Sequence, residues 1–481
     1  MDNLIRHLIA APIFLIVLSL TTFGQNATNA SIEGNWLSVV EVSGIKLRLA
    51  LRVSKTADGT LAAKFDSIDQ NATDLDIETI TQQGNAIRFE AKKLGLDYEG
   101  TLNEKGDEIA GQLKTGAGSM PVIFKRTVVV PKLSRPQDPT KPYPYDEEEV
   151  SYKNAKDNVK LAGTLTLPRT KEKSPAVILI TGSGAQDRNE TVAGHRPFLV
   201  LADYLTRRGI AVLRVDDRGM GGSDRGSPTE TSENFAGDVL AGIEYLKSRK
   251  EINPKQIGLI GHSEGGMIAP MVAARSKDVA FIVLMAGLGQ TGEDVLYTQT
   301  ELLQKAEGAS LEMTTQINAA LKIIFEILQS EPDDKIAGQR ILESLKKQKD
   351  AMSEDKKKAF ATVEASLVAR IPIFLSAWFR YFIAYNPRPT LEKVKIPVLA
   401  INGENDLQAS AKENLNLIAA ALKAGGNKDY TIKYFPKLNH LFQTSQTGRL
   451  TEYGEIEETI APVVLETISN WILKRARRVK K

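Results

Sequence analysis

Ile257-Gly-Leu-Ile-Gly-His-Ser-Glu-Gly-Gly266 is the stretch that decides how this chain folds. Residues 257–260 form a short apolar run that reads as a buried strand, and residues 267–274 read as a helix. At the joint stands Gly261-His262-Ser263-Glu264-Gly265, a G-x-S-x-G pentapeptide. A serine at so sharp a turn takes a strained backbone, and small residues two positions to either side let the turn close. The hydroxyl then stands exposed above the sheet. The pattern suits nucleophilic attack by Ser263; the alternative is a glycine-rich turn holding a structural serine.

A nucleophilic serine needs a base, and the chain has only four histidines. His7 lies in an N-terminal apolar segment. His262 precedes the serine on the turn itself, directed away from it, and His195 follows a glycine-rich loop far upstream. His440 alone comes after the serine, in Phe435-Pro-Lys-Leu-Asn-His-Leu-Phe442, just past the apolar-alternating run 430–435. A loop histidine after the last strand is the base expected for the chain order Ser, Asp, His. Residues 396–401 read as another buried strand, and Asn402-Gly-Glu-Asn-Asp406 follows it. Asp406 is the expected orienting carboxylate, with Glu404 its local competitor.

An oxyanion hole is built from backbone amides. One donor is expected from Glu264, next to the nucleophile. The other falls in Thr181-Gly-Ser-Gly184, after the strand pattern 176–180, with the amide of Ser183 preferred and Gly184 second. A dinucleotide fingerprint fits this loop poorly, because Asp187 stands where a third glycine belongs. No Walker A sequence occurs, cysteine is absent and the histidines are dispersed, so neither a cofactor nor a zinc or other metal site is expected.

These motifs resemble the EstD-type bacterial carboxylesterases of the α/β-hydrolase superfamily. The resemblance is carried by residues 261–266, by Gly182-Ser-Gly-Ala-Gln-Asp-Arg188 and by Arg214-Val-Asp-Asp-Arg-Gly-Met-Gly-Gly-Ser223, and it runs over about residues 145–290 and 390–475. Ala185 stands where many relatives carry proline. The resemblance implies hydrolysis of short-acyl carboxylic esters by Ser263, Asp406 and His440, on a small-molecule ester. A peptidase of the prolyl-oligopeptidase type and an acyltransferase share the same triad and stay open as alternatives. So does a non-catalytic binding protein, although a scaffold needs none of the three residues.

Composition bounds the rest. The 481 residues are 42% hydrophobic and 25% charged with a net charge of +3, values of a globular protein without a nucleic-acid partner. Residues 1–24 join a weakly basic start to the apolar block 8–20 and small residues, which reads as a secretory signal peptide. Export to the periplasm or medium follows, with no integral membrane association once the segment is removed. Left uncleaved, it would be an anchor. Residues 31–127 alternate in strand-like fashion, with turns at Asp58-Gly59, Gly84-Asn85 and Gly106-Asp107, and read as a small antiparallel β domain. Five prolines between Pro131 and Pro144 mark residues 128–145 as a linker.

From there, continuous apolar runs at 177–180, 210–215, 257–260, 281–285 and 398–401 alternate with helical stretches such as 198–208 and 234–248. Both faces of such a sheet are covered, so it is mostly parallel. The expected architecture is an α/β-hydrolase fold over residues 146–290 and 391–481, interrupted by a helical lid at 291–390. In the lid, residues 371–385 carry Trp378, Phe379, Tyr381, Phe382 and Tyr385. Trp378 and Phe382 are candidate walls of an acyl pocket; aromatics at helical spacing also serve as plain core. Oligomeric state leaves no mark in the sequence.

Overall fold

The structure is a computed structural model that describes residues 30–42, 45–70, 72–115 and 118–478. The signal-peptide reading of residues 1–24 lies outside them. The chain forms two compact units. Among the described residues, one comprises 30–38, 50–65 and 75–130, and the other comprises 39–49, 66–74 and 131–478.

The N-terminal strands are β1 (Gly34–Val42), β2 (Ile45–Lys55), β3 (Leu61–Ser67), β4 (Ala72–Asp76), β5 (Thr79–Gln83), β6 (Ala86–Ala91), β7 (Leu96–Leu102), β8 (Glu108–Thr115) and β9 (Gly118–Thr127). They form one sheet in the order β4-β3-β2-β1-β9-β8-β7-β6-β5. β4 and β5 end that order on opposite sides, yet only Ile77 and Glu78 separate them in sequence. So short a link spans about 11 Å at most, and the sheet must therefore curl until its edges lie side by side. Its interior is aromatic: Phe89 stacks on Tyr98 at 4.9 Å and Phe124 meets Tyr98 edge-on at 5.4 Å. The buried Tyr98 hydroxyl donates to the carbonyls of Ile109 and Val122.

The second sheet has eight strands: β10 (Asp146–Asn154), β11 (Val159–Leu167), β12 (Ser174–Ile180), β13 (Ala211–Val215), β14 (Ile252–His262), β15 (Phe281–Met285), β16 (Val398–Gly403) and β17 (Tyr430–Phe435). Their order is β10-β11-β13-β12-β14-β15-β16-β17. The last six are parallel to one another, but β10 pairs antiparallel with β11 and β11 antiparallel with β13. The sheet is thus mostly parallel, as the apolar runs led one to expect, with β10 and β11 forming its antiparallel margin. β10 is a polar edge strand with Glu147, Glu148 and Glu149 in succession, so it carries no buried-strand signature.

Helices α1 (Pro197–Arg207), α2 (Ser232–Ser248) and α3 (Glu264–Ala273) follow β12, β13 and β14. Side chains alternate between the sheet's two faces. Ala176, Ile178 and Ile180 join one core with α2 and α3, while Val177 and Leu179 join another with α1. After β15 come α4 (Gly292–Ala306), α5 (Leu311–Ser330), α6 (Asp334–Asp350), α7 (Glu354–Ala369), α8 (Ile371–Phe374), α9 (Ala377–Ala384) and α10 (Arg388–Leu391). Most of these helices carry side-chain N-caps, among them Thr291, Ser310, Asp333 and Ser376. The insertion has its own core around Ile324, Phe325, Ile341, Phe360 and Phe379, which continues into Met267 and Leu288 of the main domain. The chain closes with α11 (Ala411–Ala424) and α12 (Pro462–Arg478).

The stretch after Pro131 is pinned to the catalytic domain. Arg135 donates to the carbonyls of Ala193, Gly194, Gly454 and Ile456, and Gln137 bonds both Thr459 and Ile460. No helix among the described residues is long and apolar enough to cross a membrane.

Candidate active site

Strand order reverses between β12 and β14: from β12 the chain moves outward to β13, then returns to β14 on the other side. Loops leaving the carboxyl ends of two such strands diverge and open a crevice. The loop after β12 carries Gly182 and Ser183, and β14 runs straight into Ser263.

Ser263 has φ 53° and ψ −116°, a strained conformation for a residue with a side chain. The neighbouring glycines show why the turn tolerates nothing larger. A Cβ on Gly261 would lie 2.0 Å from the carbonyl oxygen of Gly265, and one on Gly265 would lie 2.2 Å from that of Ile180. α3 begins at Glu264, whose amide has no intrahelical acceptor, while the Gly266 amide is taken by the Ser263 carbonyl at 2.9 Å. A Cβ on Gly182 would sit 3.3 Å from the Ser263 Cβ, which brings the β12 loop directly against the serine. The Gly182 amide is taken by Glu190 Oε1 at 2.9 Å, whereas that of Ser183 has no acceptor among the described residues.

The candidate acid and base lie on the loops after β16 and β17. Asp406 follows β16 and is buried; its Oδ1 accepts from the amides of Gln408 and Ala409, both at 2.8 Å. Its Oδ2 lies 2.8 Å from His440 Nδ1. Glu404, the competitor, is exposed and accepts instead from the Lys437 amide in the turn after β17. His440 and Ser263 line one cavity, with Ser183, Leu288, Val295 and Phe382 among its other walls. No hydrogen bond joins Ser263 Oγ to His440 among the described residues.

Trp378 and Phe382, both on α9, stack at 5.7 Å and line this cavity. Trp378 Nε1 donates to Glu264 Oε1 at 2.9 Å, and Ser232 Oγ donates to the same oxygen at 2.6 Å. The residue after the candidate nucleophile is thereby tied to both α2 and the insertion. Gly184 lies elsewhere: it lines a second cavity of about 250 Å³, which shares Gly182, Glu264 and Trp378 with the first. Asp217 lines that cavity, where burial pushes its carboxyl up to about 7 against the hydrogen bonds from Gln186 and Thr181.

Sequence reasoning missed two residues. Glu190 lies in the loop after β12 at φ 54°, and it bonds His262 at 2.9 Å. His262, the last residue of β14, is buried. Its ring packs 4.7 Å from that of His440 and reaches the His440 carbonyl. A polar residue buried at a strand end was the available signal; its partner, 72 positions upstream, has no spacing to betray it. His195 is fully buried and bonded to Thr459 and Tyr453, with its imidazole pushed down to about 4 by burial.

Comparison with known proteins adds the family. The chain is 25% identical to Esterase EstD of Thermotoga maritima over 323 residues, which is 65% of this chain and 66% of that protein. It is 28% identical to protein YfhR of Salmonella typhi over 128 residues, 26% of this chain and 40% of that one. Less than two thirds of either relative's length is thus matched. Among solved structures, the Pyrococcus furiosus esterase Pf2001 superposes with a TM-score of 0.43 at 17% identity, covering 72% of this chain and 98% of that one. The family model for serine aminopeptidase, S33 (Hydrolase_4) matches residues 196–445, from the start of α1 to beyond His440. With that match over more than half its length, the chain belongs to the serine aminopeptidase, S33 family of α/β-hydrolase-fold enzymes.

Proposed function

We propose that the protein is a serine carboxylesterase acting on short-acyl carboxylic esters through an acyl-enzyme on Ser263. The observation that carries this reading is the His440 Nδ1–Asp406 Oδ2 contact of 2.8 Å, facing the cavity that holds the strained Ser263. The name of the EstD relative points the same way.

The carboxylate orients His440 with Nδ1 protonated, leaving Nε2 as the base. His440 takes the proton of Ser263 as Oγ attacks the ester carbonyl. The amides of Glu264 and Ser183 hold the oxyanion, each contributing about 3 kcal/mol of transition-state stabilisation. His440 then protonates the leaving alcohol, and water hydrolyses the acyl-enzyme by the same route. Trp378 and Phe382 bound the acyl side, and the 291–390 insertion acts as a lid over the serine. Export by the N-terminal segment belongs to the same reading, checked by the mass of the mature protein.

The test is a panel of p-nitrophenyl esters of increasing acyl length, with peptide p-nitroanilides beside it, run on wild type and Ser263→Ala. Short esters should be cleaved fastest, and the variant should lose at least about a thousandfold. Equal rates would exclude serine catalysis. Cleavage of the anilides alone would make the enzyme a peptidase, and ester transfer to added alcohol in preference to water would make it an acyltransferase.

A further inference from the structure

His262 is buried, and each of its ring nitrogens faces an oxygen. Nε2 lies 2.9 Å from the backbone carbonyl of His440, a group that only accepts. Nδ1 lies 2.9 Å from Glu190 Oε1, which already accepts the Gly182 amide at 2.9 Å. Both contacts are satisfied when the ring carries two protons and Glu190 is a carboxylate. A neutral imidazole would leave one nitrogen lone pair against an acceptor in a dry site.

The four residues sit at the carboxyl ends of three different strands: Glu190 and Gly182 in the loop after β12, His262 as the last residue of β14, and His440 in the loop after β17. Those are the loops that bear the candidate oxyanion donor, nucleophile and base. Nothing in the attack on an ester requires a second histidine. We propose that His262 and Glu190 are positioning residues. The imidazolium and the carboxylate form one clamp that holds the His440 backbone and the Gly182–Ser183 turn in register with Ser263. This inference rests on the esterase reading above.

The charged neighbours agree. Burial pushes the His262 imidazole down, but the Glu190 carboxylate and the His440 carbonyl outweigh it, so the ring holds its proton above the ordinary histidine range. Asp406 adds to that attraction from the β16 side. The His440 ring lies at 4.7 Å and that of Phe442 at 6.4 Å, and the Asp217 carboxyl interacts with Glu190. Removing the proton at high pH leaves Glu190 uncompensated and one contact broken, so catalysis acquires an alkaline limb that belongs to His262.

Three measurements test the clamp. His262→Phe keeps a ring but removes both donors. It should lower kcat by about 10- to 100-fold while KM for a short ester changes less than about threefold, since a misplacement of ~1 Å costs about that much. Glu190→Gln keeps the shape and one acceptor but not the charge; it should retain more of kcat and abolish the alkaline limb of the wild type. In Ser263→Ala protein carrying ¹⁵N-histidine, both His262 nitrogens should remain protonated at pH 7, with the signals assigned by their loss in His262→Asn. Wild-type kcat in both His262→Phe and Glu190→Gln, or an unprotonated Nδ1 at pH 7, would overturn the clamp. If Ser263→Ala keeps wild-type activity, the esterase reading fails instead, while the nitrogen spectrum still decides the protonation.

Discussion

Asp406 divides its carboxylate between two tasks: Oδ1 is anchored by the amides of Gln408 and Ala409, and Oδ2 meets His440 Nδ1 at 2.8 Å. The carboxylate is thus held by backbone on one oxygen while the other meets the imidazole. Asp406→Asn keeps the volume but presents an amide donor or a neutral acceptor to His440. It should cut kcat/KM on a short ester by about 10³- to 10⁴-fold with little change in KM. Glu404→Gln, on the exposed turn, should stay within about twofold of wild type in the same steady-state assay.

Trp378 and Glu264 couple the insertion to the elbow through one hydrogen bond of 2.9 Å. Trp378→Phe leaves the buried Glu264 with Ser232 as its remaining side-chain donor. A hydrogen bond to a charged group is worth about 1.5–3 kcal/mol, so urea unfolding should register a loss of about that size. The acyl-length profile should shift as well, because the indole lines both cavities.

Gly261 leaves its added methyl nowhere to go, since the obstacle 2.0 Å away is backbone rather than a side chain. Gly261→Ala should cost about 3 kcal/mol or more, read as a lowered Tm or insoluble protein. Gly209→Ala is a useful contrast. It meets no atom within 4 Å and carries only the strain of its φ of +88°, so a smaller loss is expected.

Asp217 makes stability fall as pH rises. Burial lifts its carboxyl from 3.8 to about 7 in the folded chain, so the folded state binds this proton more tightly than the unfolded chain does. The stabilisation is fully present below pH 3.8 and is lost as pH climbs through 7. At about 1.4 kcal/mol per pH unit over that interval, the ceiling is about 4 kcal/mol. Asp217→Asn should flatten the dependence and exceed wild type in Tm at pH 8. A wild-type Tm, corrected for other groups by the variant, that does not fall between pH 4 and pH 8 would refute it.

How far the sequence could be read depended on the range of each signal. The G-x-S-x-G turn, the apolar runs of β12 to β16 and the helices of the insertion are local patterns, and each was visible in a window of a dozen residues. β10 and β11 escaped because an edge strand with a wet face is polar, and its partner's direction is a matter of pairing alone. Ser263, Asp406 and His440 were legible as candidates because a known chain order ranks the few residues able to serve. Glu190 was not, since no rule of spacing links it to His262.

Taken by itself, the sequence determined which residue types stand at the ends of which strands, because side-chain chemistry and backbone strain act within a few residues. Only the tertiary structure decided that Asp406 rather than Glu404 meets His440, that Gly184 turns to the smaller cavity, and that His262 is held between Glu190 and the His440 carbonyl. The physical reason is that hydrogen bonds in a dry interior are settled by distance and direction to within a few tenths of an ångström. The register of eight paired strands sets those, and no single stretch of chain contains them.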